Sequence, residues 1–151
     1  MYLRNSAKAV IVKDDKILCI KCKDDWRFFY LLPGGGQEPG ETLPDAVRRE
    51  SREEVGADVV VHDLIFVRDY ISANHEFAEY ESEVHQVELM FSCELADGSK
   101  QEFGDLPDKD QIGIEWLDLD ELESYRLYPM ALRPFLIDRK FDCTTYIGDV
   151  N

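Results

Sequence analysis

The chain has 151 residues, 44% of them hydrophobic and 11% aromatic, enough apolar content for one buried core and too much for a disordered tail or low-complexity linker. Its 17 basic and 32 acidic residues leave a formal net charge of −15, a field that opposes duplex nucleic acid and anionic membrane surfaces and obliges an anionic ligand to arrive with cations. No run of about 18 apolar residues occurs, and the start Met1-Tyr2-Leu3-Arg4-Asn5-Ser6 has no apolar signal core, so a single cytoplasmic domain is expected.

In chain order, residues 7–13 and 17–23 are two apolar-rich strands around Asp14-Asp15-Lys16, a hairpin signal. Cys19 and Cys22 fall inside the second strand as a lone C-x-x-C without a second pair for zinc or a helix start for redox chemistry, so ordinary reduced thiols are expected. Residues 28–32 form a short strand that delivers a glycine loop, and a helix is predicted over 43–55. Residues 59–61 and 64–70 read as one long or bent strand. Residues 84–95 form another, with Val87, Leu89, Phe91 and Cys93 on one face and Gln86, Glu88, Met90 and Ser92 on the other. The intervening segment, 71–83, is irregular, aromatic and acidic, which suits a loop on the substrate side. A loop at 97–109 leads to a strand at 112–117, and helices are predicted over 118–125 and 130–139. Strands, a central helix, more strands and a terminal helix predict an α/β fold, a mixed sheet covered on both faces.

The richest stretch runs from Gly35 to Ala57. In the predicted helix Glu50, Glu53 and Glu54 are related by i,i+3 and i,i+4, so their side chains project from one face of one turn. Like charges at that spacing repel by a few tenths of a kcal/mol per pair, and more when desolvated, so a cation between them is the natural explanation. Oxygen donors without cysteine or histidine point to Mg²⁺ or Mn²⁺ rather than Zn²⁺. Upstream, Leu32-Pro33-Gly34-Gly35-Gly36 lets the backbone approach a metal-bridged diphosphate closely and take up positive φ. Thr42 is the predicted N-cap, Pro44 suits the first turn, Asp45 suits the positive end of the dipole, and Gly56 stops the helix.

These residues resemble the Nudix box, G-x5-E-x7-R-E-U-x-E-E-x-G-U, where U is a bulky aliphatic residue. Gly35, Glu41, Arg49, Glu50, Glu53, Glu54 and Gly56 fill its glycine and polar positions, while Ser51 and Ala57 are small residues at the two U positions. The resemblance implies the Nudix fold, an α/β/α sandwich with a mixed central sheet, as a single domain over residues 1–151. It also implies a Mg²⁺-dependent pyrophosphohydrolase, with Mn²⁺ as a substitute, that cleaves the diphosphate of a nucleoside diphosphate linked to another moiety. The implied ligands are Glu50, Glu53, Glu54 and a backbone carbonyl near Gly34 or Gly35, with Gly34, Gly35, Gly36 and Glu41 on the phosphate side. Arg49 pins Glu41 or Glu53 in such a site. The segment Glu115-Trp116-Leu117-Asp118-Leu119-Asp120-Glu121-Leu122 is similar to one that follows the last sheet strand in relatives, which often have a further carboxylate about six residues before the tryptophan. Here that residue is Asp110, which the resemblance implies as a further metal ligand or as a group that orients water.

Several alternatives stay open at this stage. The general base is Glu53, or a loop carboxylate: Asp110, or one of Glu76, Glu79, Glu81 and Glu83. The carboxylate ridge also reads as a solvated acidic helix face, and the chain as a non-catalytic nucleotide-binding sensor or interaction module, although no box glutamate is missing. The isopentenyl diphosphate isomerase branch is disfavoured because its added cysteine and histidine chemistry is not evident. His62, His75 and His85 read as surface or satisfied residues. Trp26, Phe28, Phe29, Phe66 and Tyr70 read as core more readily than as a base pocket. The expected partner is a small nucleotide derivative, with a homodimer possible among such proteins.

Overall fold

The computed structural model describes residues 1–25, 27–81, 83–102, 104, 106–107 and 109–151. β1 (Tyr2–Lys13) and β2 (Lys16–Lys23) form the expected hairpin, turned by Asp14 and Asp15 at φ 51° and 59°, the left-handed pair that matches strand twist in a two-residue loop. β3 (Phe28–Leu31) returns antiparallel to β2, and β4 (Gly34–Gly36) then pairs antiparallel with Ser6–Lys8 of β1. α1 (Leu43–Val55) follows. β5 (Val59–Ile71) lies antiparallel to β6 (Val84–Leu95), with register shifts around Leu64 that bend it as the sequence pattern predicts.

β6 runs parallel to β1, so the N-terminal residues from Tyr2 onward are drawn into the sheet beyond the predicted start at residue 7. β7 (Gln111–Asp118) pairs with β2, β8 (Leu127–Tyr128) with β3, and β9 (Thr145–Asp149) with β5. Among the described residues the order is β8-β3-β2-β1-β6-β5-β9, with β4 attached to β1 and β7 to β2. Parallel and antiparallel pairs mix as expected.

Two apolar clusters lie on the two faces. Ala46, Val47 and Val55 of α1 pack with Ala7, Ala9 and Ile11 of β1 on one. On the other, Leu119, Leu122, Leu132 and Leu136 cover Val10, Phe66 and Met90. This is the α/β/α layering expected from the sequence. The two predicted C-terminal helices are shorter than expected. The first is a 3₁₀ segment, Leu119–Ser124, and the second splits into a 3₁₀ turn, Met130–Leu132, and the five-residue α2 (Arg133–Ile137). Pro129 disfavours helix at Tyr128, and Leu127 and Tyr128 gain ladder bonds to β3 instead. Pro134 lacks an N–H and therefore sits in the first turn of α2.

Cys19 packs in one cluster and Cys22 in the other, because residues three apart on a strand point to opposite faces. None of the four cysteines, all among the described residues, forms a disulfide. Leu89, Phe91 and Cys93 of β6 face α1 as predicted, but Gln86, Glu88 and Met90 on the opposite face are buried too.

Candidate active site

Helix α1 is built as its sequence dictates. The Thr42 hydroxyl accepts from the Asp45 N–H at 3.2 Å, Pro44 occupies the first turn, and Gly56 closes the helix in the left-handed region at φ 62°. The buried stripe of Ala46, Val47, Ser51 and Val55 fixes the rotation of the helix, which turns Glu50, Glu53 and Glu54 toward the β4 edge.

There the glycines act by close approach. A Cβ on Gly35 would lie 2.5 Å from Glu50 Oε1, and one on Gly34 would lie 2.2 Å from the Ala7 carbonyl oxygen, with φ at +143°. The Gly34 N–H donates to Glu54 Oε1 at 2.7 Å, a buried bond that locks strand and helix together. The glycine segment is thus a strand paired with β1, which the sequence alone did not indicate.

Arg49 is the hub of this site. Its Nε and Nη2 donate to the two oxygens of Glu41 at 3.1 and 2.7 Å, and Nη2 also donates to the Gly36 carbonyl at 3.0 Å. Nη1 reaches Glu50 at 3.0 Å and Glu53 at 3.4 Å. The arginine therefore pins Glu41, as predicted, and also supplies positive charge between two of the ridge carboxylates. Hydrogen bonding to Arg49 holds the Glu41 carboxyl below its usual range. Glu50 behaves oppositely. Burial pushes its carboxyl up, and Arg49 only partly offsets that.

The donor set fits a hard divalent cation: three glutamates on one ridge, carboxylate oxygen throughout, and a half-desolvated Glu50 that Arg49 does not fully compensate. Among the described residues, however, no three acidic, histidine or cysteine side chains converge closely enough to enclose an ion. Glu54 is committed to the Gly34 N–H, and Arg49 binds Glu50 and Glu53. Binding a cation here would require carboxylates to turn away from the arginine.

A model of the NUDIX domain matches residues 2–138. The nucleoside triphosphatase NudI of Salmonella agona is 31% identical over 135 residues, which cover 84% of this chain and 90% of that one. The chain belongs to the Nudix family. Solved structures agree on the fold. A NUDIX hydrolase from Nitrosomonas europaea superposes with a TM-score of 0.72 at 19% identity, over 95% of this chain and 93% of the other. An ADP-ribose pyrophosphatase from Streptococcus suis gives 0.63 at 22% identity, over 97% and 98%. The protein is accordingly a Nudix pyrophosphohydrolase.

The small residues at the two aliphatic positions of the Nudix box are both fully buried, and the Ser51 hydroxyl has no hydrogen-bond partner among the described residues. Asp110 is exposed. It precedes Gln111, whose side-chain amide donates to the Glu54 carbonyl at 2.9 Å, so it stands beside the last turn of the Nudix helix.

The three histidines each meet a carboxylate away from the ridge: His62 with Glu94 at 2.7 Å, His75 with Asp149 at 2.7 Å and His85 with Asp69 at 2.8 Å. Phe66 is core, Tyr70 stacks on His75, and Phe28 is half-exposed beneath Lys21. Trp26 lies outside the described residues.

Sequence reasoning missed Lys8. Its ammonium donates to the Gly34 carbonyl at 3.3 Å, and its charge acts on both Glu50 and Glu88. A lysine in an apolar strand carries no motif, and only the β1–β4 pairing brings it to the site.

Proposed function

We propose that this Nudix enzyme hydrolyses the phosphoanhydride of a nucleoside diphosphate linked to another moiety, a class that includes nucleoside triphosphates and nucleotide sugars, with Mg²⁺ as the metal and Mn²⁺ as a substitute. The observation that carries the reading is the meeting of Glu50 and Glu54 with Gly35 and Gly34 at contact distance, with Glu53 tied to Glu50 through their shared Arg49. The similar proteins named nucleoside triphosphatase and ADP-ribose pyrophosphatase support a nucleotide substrate.

Glu50, Glu53, Glu54 and the Gly34 carbonyl would hold the metal, which when bound neutralises charge on the diphosphate and lowers the pKa of a coordinated water. The open backbone at Gly36, where a Cβ would meet only Arg4 at 3.9 Å, leaves room for phosphate oxygens against β4. Arg49 keeps Glu41 and the Gly36 carbonyl in place. Glu53, partly exposed and bonded only weakly to Arg49 at 3.4 Å, accepts the proton of the attacking water, with Asp110 as the rival base. The water attacks phosphorus in line, and the leaving phosphate departs on the opposite side.

A phosphate-release screen with nucleoside triphosphates, nucleotide sugars, ADP-ribose and dinucleotides, each with and without Mg²⁺, tests the proposal. Turnover of at least one compound that stops on chelation is expected. Glu53→Gln and Glu54→Gln should each lower kcat more than about tenfold with the fold intact. Nucleotide binding without any turnover would instead favour a sensor.

A further inference from the structure

The sheet face opposite α1 carries more charge than a core should. Phe66, Met90 and Val10 on that face are apolar and buried, but one step along the same strands come Arg68, Glu88 and Lys8. Arg68 Nε donates to Glu88 Oε2 at 2.6 Å, and the two side chains are only 7% and 6% exposed. The Gln86 amide donates to Glu88 Oε1 at 2.7 Å. Ser6, the register neighbour of Glu88 on one side and of Gly36 on the other, is fully buried and its hydroxyl has no partner among the described residues.

A buried ion pair contributes little to stability compared with an apolar pair of the same volume. Its presence beside an otherwise apolar core calls for a use. A small cavity of about 20 Å³ opens over it, floored by Lys8, Arg68 and Glu88 and roofed by Leu32, Tyr128 and Pro129.

Position ties this floor to the phosphate side. Glu88 lies two strands from Gly36, about 10 Å at ordinary strand spacing, which is the reach of one nucleoside. Lys8 spans the gap, bonded to the Gly34 carbonyl at one end and acting electrostatically on Glu88 at the other. The Tyr128 ring in the roof meets Phe29 and Phe77 edge-on at centroid distances of 6.2 and 5.7 Å, which sets Phe77 against the roof of the cavity.

Building on the nucleotide reading above, we propose that this floor recognises the nucleobase, with Glu88, braced by Arg68 and Gln86, accepting from an exocyclic amino group while the phosphates lie along Gly34–Gly36. A carboxylate has only acceptors. Each Glu88 oxygen spends one lone pair on Arg68 or Gln86 and keeps another for the ligand. The N4 amino group of cytosine supplies donors there, as the amino group of guanine does, whereas the O4 of uracil would set lone pair against lone pair. The cavity holds about one water's volume, so the base enters by displacing the Tyr128 ring and the Phe77 that packs on it.

The test is kcat/KM with Mg²⁺ on two size-matched pairs, CTP against UTP and GTP against ITP. The amino member of each pair should be preferred by about tenfold, within the range of one good side-chain–base contact. Glu88→Gln keeps the size but adds a donor, and should cut both ratios to about twofold or less; loss of fold support alone would lower all four substrates together and leave the ratios unchanged. Equal use of both members by the wild-type enzyme, or unchanged ratios in Glu88→Gln, would overturn the proposal. Should Glu88→Gln fail to fold, the wild-type ratios decide. No turnover of any nucleotide would instead defeat the nucleotide reading on which this one rests.

Discussion

Replacing Gly35 by alanine separates the site from the fold. The new Cβ would stand 2.5 Å from Glu50 Oε1 and 2.8 Å from its Cδ, against 3.4 Å for ordinary contact, so the carboxylate must retreat by nearly 1 Å. The obstacle is the end of a flexible side chain, and Gly35 does not have the positive φ seen at its neighbour Gly34. Moving Glu50 off its rotamer costs about 1 kcal/mol, which for a chain of this size lowers Tm by about 2–4 °C. A misplacement of this size at the carboxylate proposed to hold the metal should cost on the order of 10²-fold in kcat.

Gly34→Ala provides the contrast. There the Cβ meets backbone, the Ala7 carbonyl oxygen at 2.2 Å and the Lys8 Cα at 2.7 Å, which cannot yield without breaking the β1–β4 ladder. Thermal melts and Mg²⁺-dependent turnover on both variants are the assay. The expectation is a folded, nearly inactive Gly35→Ala and a poorly folded Gly34→Ala. A Gly35→Ala enzyme with full activity would refute the claim that Glu50 works from this position.

Ser51→Ala should stabilise the protein by about 1 kcal/mol, because it removes a fully buried hydroxyl that has no partner among the described residues and improves helix propensity; urea melts read the gain directly. At the other end of the molecule, burial tends to raise the Asp149 carboxyl, but bonds from Asn74, His75 and the Ile71 N–H outweigh it and bring the pKa down to about 2. A depressed carboxyl stabilises the fold above its unfolded pKa, about 3.9, and that contribution is lost as pH falls toward 2. Wild type should therefore exceed Asp149→Asn in denaturant stability at pH 6, with the difference shrinking between about pH 4 and pH 2.

What could be read without coordinates was whatever repeats with a local period or a local cap. The helix of residues 43–55, its Thr42 and Gly56 boundaries and its one-sided glutamates follow from spacing alone, and so does the Asp14-Asp15 hairpin. Arg49 was legible as a clamp because the motif fixes its neighbours. The strand character of Gly34–Gly36 was hidden, since three glycines have no side-chain alternation to reveal. β8 is two residues long and is set by its partner β3, and no period can show in so short a piece. Glu88 and Gln86 alternate with Val87 and Leu89 in a pattern that ordinarily marks a wet strand face. They are buried because the C-terminal segments and Tyr128 close over that face. Such long-range covering leaves no trace in local sequence.

The central claim is that the glutamate ridge of α1 holds divalent ions against the glycine strand. Titration of Mn²⁺ by electron paramagnetic resonance, on the wild type and on Glu50→Gln, Glu53→Gln and Glu54→Gln together, tests it most directly. Mn²⁺ should bind to the wild type, be displaced by Mg²⁺, and fail to bind to the folded triple variant. Equal Mn²⁺ binding by the wild type and the triple variant would contradict it.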